Sequence, residues 1–173
     1  MMDERMAGAL NKQINEELYS SYLYLAMASY FEDLGLKGFA SWMKVQVQEE
    51  VAHAMKIFNF LGDRGEKVKL LEIKKPDDNW ENPLKAFEAA LYHERFITGC
   101  INELLNLSTE LKDHSTSSFL NWYVDEQVEE EATASDVVSK LKFAGNNGNS
   151  LLMLDKEMGT RVFVNPLAKD GAE

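Results

Sequence analysis

Residues 124–134 read VDEQVEEEATA, and within six positions they gather Glu126, Gln127, Glu129, Glu130 and Glu131. Like charges this close repel, which a solvated surface tolerates and a buried surface does not. The flanking residues decide between the two. In steps of three and four, Gln127 and Glu130 continue a stripe of Leu120, Tyr123, Ala134, Val137 and Leu141. That spacing marks one face of a helix turned toward neighbouring helices. Gln127 and Glu130 therefore point inward, Glu126 and Glu129 flank them, and Glu131 is expected to turn to solvent.

Three other segments carry the same pattern. The first reads Leu10, Ile14, Glu17, Ser21, Tyr24, Ala28, Phe31, and the second Phe39, Met43, Gln46, Glu50, His53, Ile57, Phe60. The third reads Leu84, Phe87, Leu91, Glu94, Thr98, Ile101, Leu105. Each is apolar toward its ends and broken near its middle by a carboxylate, so four helices each bring one acid to an interior. Glu17 lies 18 residues before Gly35 and Glu50 lies 15 after it, which places both roughly 23 to 27 Å from that turn. Glu94 and Glu130 stand at matching heights about the turn at Asp113. Two ionised carboxylates 5 Å apart repel by about 3 kcal/mol at an effective dielectric near 20. Several such pairs would consume the ~5 to 15 kcal/mol margin of a domain, so protons or cations must neutralise them. Glu50 and His53 form an E-x-x-H pair that places oxygen and nitrogen on one helical face. Such a donor set suits iron or manganese better than a thiolate zinc site.

Breaks between the stripes give the topology. Helices are expected from about Glu4 to Leu34, Phe39 to Asp63, Pro83 to Leu111, and Ser115 or Thr116 to Gly145, with a short fifth at 149–159. The first two and the last two of the four long helices are joined by short turns, so each pair is an antiparallel hairpin. Residues 66–83, eighteen in all, are long enough to run the length of a bundle. The fold expected is all-α, a four-helix bundle with one long crossover between helices 2 and 3. A single domain over 1–173 comprises the bundle at about 4–145, the fifth helix, and a tail at 161–173. Val68, Leu70, Leu71 and Ile73 suggest that the crossover packs down. Leu151, Leu152 and Leu154 would be left partly exposed on a lone bundle, which points to assembly.

Composition excludes several classes. A net charge of −11 disfavours nucleic acid and anionic membranes. No apolar run reaches the ~18 residues of a membrane span, and MMDERM lacks a secretory pattern. Cys100 is the only cysteine, which excludes an intrachain disulfide and fits a cytoplasmic setting.

NEELYSSYLYLAM around Glu17, QEEVAHAMK around Glu50 and His53, YHE at Glu94 and EQVEEE around Gln127 and Glu130 resemble the non-haem ferritins of bacteria and archaea, over about residues 4–159. The resemblance implies a ferroxidase that oxidises Fe²⁺ with O₂ or peroxide and stores Fe³⁺ as mineral in a shell of identical chains, most often about 24. It implies that Glu17, Glu50 and His53 bind one iron, with Glu50 bridging. Glu94 and Glu130 complete a second, with Gln127 close by. Glu49, Glu126, Glu129 and Glu130 resemble a third iron site, and Tyr24 matches a tyrosine beside the centre, an electron donor.

Departures from neighbouring families narrow the likeness. Gln127-x-x-Glu130 replaces the second E-x-x-H of bacterioferritins, and Val51 stands where their haem-holding methionine would fall, so no haem is expected. Mini-ferritins place their site between subunits, and one cysteine cannot build the extra iron domain of a rubrerythrin. His93 and His114 read as surface residues and Trp122 as a core aromatic. Two other functions remain open from the residues: a passive storage or scaffold subunit without fast oxidation, and a di-iron oxidase acting on an organic substrate. Intact acids on all four stripes count against the first.

Overall fold

Among the described residues, four of the five helices begin at a side-chain cap. Asp3 accepts from the Arg5 backbone N–H at 2.8 Å, Asn82 from Lys85 at 3.0 Å, Asp113 from Thr116 at 3.1 Å and Asn147 from Ser150 at 3.1 Å. Each satisfies a backbone donor that the first helical turn leaves free. The helices they open are α1 (Glu4–Asp33), α3 (Pro83–Glu110), α4 (His114–Ala144) and α5 (Gly148–Met158). Only α2 (Lys37–Asp63) starts without one, at Leu36. The turn before it reverses through Gly35 at φ 73°, and Leu36 N–H bonds back to the Phe31 carbonyl. That left-handed position suits glycine. The α3–α4 turn makes the same 6→1 bond, from Asp113 N–H to the Ser108 carbonyl, but puts Lys112 at φ 56°.

The computed structural model describes residues 2–145 and 147–168, and among them there is no strand. The expected all-α bundle with one long crossover and a short fifth helix is present, with α2 starting two residues earlier than the pattern suggested. Of the expected tail at 161–173, residues 169–173 lie outside the described residues.

The core falls into two apolar clusters, and their order along each helix gives the topology. Met6, Leu10 and Ile14 of α1 join Ile57 and Leu61 of α2, Ile101 of α3 and Leu120 of α4 in one cluster. Tyr24 and Phe31 join Phe39, Met43, Phe87, Val137 and Leu141 in the other. Chain direction therefore alternates as up, down, down, up, and the parallel pair α2 and α3 requires the return segment. Glu17, Glu50, Glu94 and Glu130 all lie between the two clusters in sequence. One polar layer thus separates two apolar halves of the bundle.

Two local expectations are corrected. Leu70, Leu71 and Ile73 of the crossover are exposed, and of the four residues expected to pack down only Val68 does so; further along, Trp80 packs on the other apolar cluster. Polar contacts hold the stretch around them. Asn11 Oδ1 accepts from Lys69 N–H at 2.6 Å, and Asn15 donates to the Glu72 carbonyl at 3.1 Å. Extended backbone has no internal ladder, so its amides and carbonyls are satisfied by the side chains beneath. In α5, Leu154 is buried with Met158 against the bundle, whereas Leu152 and Met153 stay exposed. Docking there is close: a Cβ on Gly38 would meet the Asp155 carbonyl oxygen at 1.6 Å. Asp155 also accepts from Phe39 N–H at 2.9 Å.

Candidate metal centre

The polar layer is shut off from bulk solvent. Glu17 is 1% exposed, and Glu50, His53 and Glu94 each 2%. Gln127 and Glu130 are buried with them. Ligand-type atoms of Glu17, Glu50 and His53 lie within 4.8 Å of one another, and so do those of His53, Glu126 and Glu130. His53 joins the two triads: Nδ1 is 3.4 Å from Glu50 Oε2 and Nε2 is 3.8 Å from Glu126 Oε1. The i, i+3 spacing of Glu50 and His53 on α2 makes the first approach a local consequence of helix geometry. The second depends on how α4 packs.

Glu94 belongs to neither triad. Its carboxylate accepts from the Tyr24 hydroxyl in a short hydrogen bond and from Gln127 Nε2 at 3.2 Å. Gln127 also donates to the Glu94 carbonyl and to Thr98. Tyr24 is therefore placed against an acid of the layer. Glu126 is half-buried beside His53, and Glu49 is mostly buried at the edge of the cluster. Glu129 is exposed and is not brought into either triad.

Burial governs the protonation of these acids. It raises Glu17 and Glu50, each opposed by the charge of His53, and raises Glu130 against a hydrogen bond from Gln46. Glu94 is pushed up to about 8 by burial and then by Glu130. Glu49 is pushed up to about 7 by burial, with Arg161 acting the other way. Burial also opposes a charge on His53, yet Glu126, Glu50 and Glu17 together hold its pKa well above the ordinary value. Packed acids thus keep protons that a cation would displace.

Among the described residues, two buried atoms, Glu17 Oε2 and His53 Nε2, find no hydrogen-bond partner. Buried polar atoms are seldom left unsatisfied, so an orphaned oxygen and imidazole nitrogen in one layer fit a place for cations. The donors are carboxylate oxygens and one imidazole, the set that suits iron and manganese. Cys100 is half-buried and stands outside both triads.

Several neighbours escaped the sequence reading. Gln13 donates to Glu17 Oε1 at 2.9 Å, one turn earlier on α1. Gln46 donates to Glu130 Oε2 at 3.0 Å, and its place in the α2 stripe was the available signal. Tyr123 donates to the His53 carbonyl at 2.7 Å, and Trp122 packs edge-on to the His53 ring at 5.5 Å. His93 is buried, not at the surface: it sits 2.7 Å from Ser20 Oγ, and burial followed by Lys74 lowers its pKa to about 4. Glu131 does not face solvent freely either. It accepts from Thr98 Oγ1 at 2.7 Å and lies 3.6 Å from Arg95, because α4 turns this edge toward α3.

A four-helix bundle with a long crossover and a buried layer of acids and one histidine defines the ferritin-like class. Residues 7–144 match the sequence model of the ferritin-like domain, and the chain belongs to that family. Within it, the chain is 41% identical over 161 residues to a bacterial non-heme ferritin of Bacteroides fragilis, covering 93% of this chain and 100% of that one. It is 39% identical to the bacterial non-heme ferritin of Campylobacter jejuni, over 90% and 93% of the two chains. Among solved structures, an open-pore ferritin from Archaeoglobus fulgidus superimposes with a TM-score of 0.93 at 52% identity, over 94% and 100% of the two chains. A closed form of that ferritin, engineered by site-directed mutagenesis, gives 0.94 at 52%, over 95% and 100%. Among the described residues no helix is long and apolar enough to cross a membrane.

Proposed function

We propose that this chain stores iron and oxidises it on the way in, through a pair of ferrous ions bound in the acidic layer. Glu17, Glu50 and His53 would hold one ion, and Glu94 and Glu130 the other, with Glu50 shared and Gln127 beside the second. The orphaned Glu17 Oε2 and His53 Nε2 carry this reading. Each ferrous ion gives up one electron, so a pair supplies the two electrons that bring O₂ to the peroxide level with two protons. Carboxylate oxygens favour the ferric product, while the redox chemistry belongs to the metal. The residues' own work is to bind, to release protons as the ions arrive, and to exclude bulk water. Tyr24, whose hydroxyl donates to Glu94, stands beside this pair, where the resemblance puts an electron donor. Glu49, Glu126 and Glu130 line one edge of the layer and supply a third, weaker position, with Glu129 able to contribute only by turning inward.

A mineral needs an enclosure, so the working form is a shell of identical chains, about 24 of them by resemblance. Exposed Leu152, Met153, Phe143, Val162 and Val164 provide apolar surface for such contacts. The lone cysteine agrees with a cytoplasmic setting. Stopped-flow absorbance after mixing metal-free protein with Fe²⁺ and O₂ tests the oxidase reading. A fast phase saturating at two iron ions per chain is expected. Oxidation no faster than in protein-free buffer would leave only passive storage.

A further inference from the structure

The segment after α5 reaches back into the centre. Arg161 Nη2 donates to Glu49 Oε2 at 2.7 Å, and Nη1 donates to Gln46 Oε1 in a short hydrogen bond. Its guanidinium lies 4.5 Å from the centroid of the Trp42 ring. The ion pair is largely enclosed, with the Arg161 and Glu49 side chains 23% and 15% exposed. Because Gln46 Oε1 accepts from Arg161, its amide nitrogen is turned toward Glu130 Oε2, 3.0 Å away. One guanidinium therefore ties up Glu49 directly and Glu130 through one intervening amide. An arginine cannot leave by losing its proton, and its planar fork with an aromatic shelf is well suited to a fixed post. Its place is set by α5, which is pinned where Gly38 meets Asp155 and ends at Met158, three residues before Arg161.

We propose that Arg161 is an internal competitor for the third metal position: its charge fills the cation place at the Glu49 edge of the cluster, and an ion binds there only by displacing it. This rests on the metal-centre reading above. It adds that the tail sets the affinity of that edge. Among the described residues Glu17, Glu50, His53 and Glu94 make no hydrogen bond to Arg161, so of the residues assigned to the paired position only Glu130 feels it, through Gln46 and through its charge. The electrostatic logic is direct. A monovalent guanidinium already offsets part of the charge of Glu49, Glu126 and Glu130, and a divalent ion beside it meets both repulsion and an occupied carboxylate oxygen.

Zn²⁺, which undergoes no oxidation, is the probe. Calorimetric titration of the assembled, metal-free protein should give two tight steps and a weak third. A hydrogen bond to a charged group is worth on the order of tenfold to a hundredfold in an equilibrium constant. Arg161→Ala should therefore tighten the third step by at least about tenfold, leaving the first within about threefold and changing the second, which shares Glu130, by less than the third. Arg161→Gln, a milder change that keeps a polar side chain, should do the same, and circular dichroism checks that both variants keep the helices. Adding Glu49→Gln to Arg161→Ala should cancel the gain, because the carboxylate competed for is gone. Two tight steps with a third that is unchanged or weaker in both arginine variants would overturn the proposal alone. Absence of two tight steps from the parent would overturn the metal-centre reading and this inference with it.

Discussion

Replacing Glu94 by leucine separates what the acidic layer costs from what it does. Glu94 is 2% exposed and its carboxyl is raised from 4.5 to about 8, by burial first and Glu130 second. For an acid whose folded pKa is raised, the unfolded chain loses its proton first, so stability falls as pH rises between about 4.5 and 8 and levels off above. The slope is about 1.4 kcal/mol per pH unit, which from pH 4.5 to 7 amounts to roughly 3 kcal/mol of destabilisation in the metal-free chain. Leucine removes that penalty and extends the apolar stripe between Leu91 and Ile101. The substitution also strands the Tyr24 hydroxyl, whose partner is Glu94, at a cost of about 1 to 3 kcal/mol. Gln127 keeps the Glu94 carbonyl and Thr98 as alternatives. The two effects nearly cancel near pH 7. The informative quantity is therefore the pH dependence. Thermal midpoints of metal-free parent and variant, at one protein concentration, should cross: the variant is less stable at pH 5 and more stable at pH 8.5. Adding Tyr24→Phe should shift the balance further toward the variant at every pH. Rapid paired oxidation of Fe²⁺ should fall steeply in the same protein. A variant destabilised equally at all pH values, with oxidation undiminished, would refute the argument and make Glu94 an ordinary structural hydrogen-bond partner.

Light scattering should report an assembly near twenty-four times the 19.7 kDa chain mass; a monomer or dimer at every salt concentration would contradict the shell. Glu126→Gln should weaken Zn²⁺ binding at the His53 edge more than Glu129→Gln, since Glu126 stands 3.8 Å from His53 and Glu129 is exposed; the reverse order in calorimetry would mean that Glu129 turns inward. Metal uptake should release protons from Glu49 and Glu94, whose pKa values lie at about 7 and about 8, so Zn²⁺ affinity should rise from pH 6 to 8; a flat profile would mean that these acids are already ionised. Gly38→Ala should undock α5, because the added methyl meets the Asp155 carbonyl, and limited proteolysis should then cut between α4 and α5 where the parent resists.

Much of this protein is local, and that part was legible in the chain. Helical spacing alone put Glu17, Glu50, Glu94 and Glu130 each on an inward stripe, because residues three and four apart share a face whatever lies opposite. The length of the segment between α2 and α3 required the return to the far end. Glu50 and His53 form their pair through the turn of one helix. Other features depend on how each helix is rotated against its neighbours, which no repeat in one helix encodes. His93 looks like a surface histidine on α3 until Ser20 of α1 arrives beside it. Glu131 looks solvent-facing until Thr98 and Arg95 close on it. The apolar crossover residues Leu70, Leu71 and Ile73 gave a misleading signal, because that stretch of the strap is held through the Lys69 N–H and the Glu72 carbonyl rather than by its own apolar side chains. Arg161 carried no motif at all. Only the docking of α5 through Gly38 brings its guanidinium 115 residues back along the chain to Gln46, and the same docking decides which carboxylates of the layer meet a cation of the chain's own.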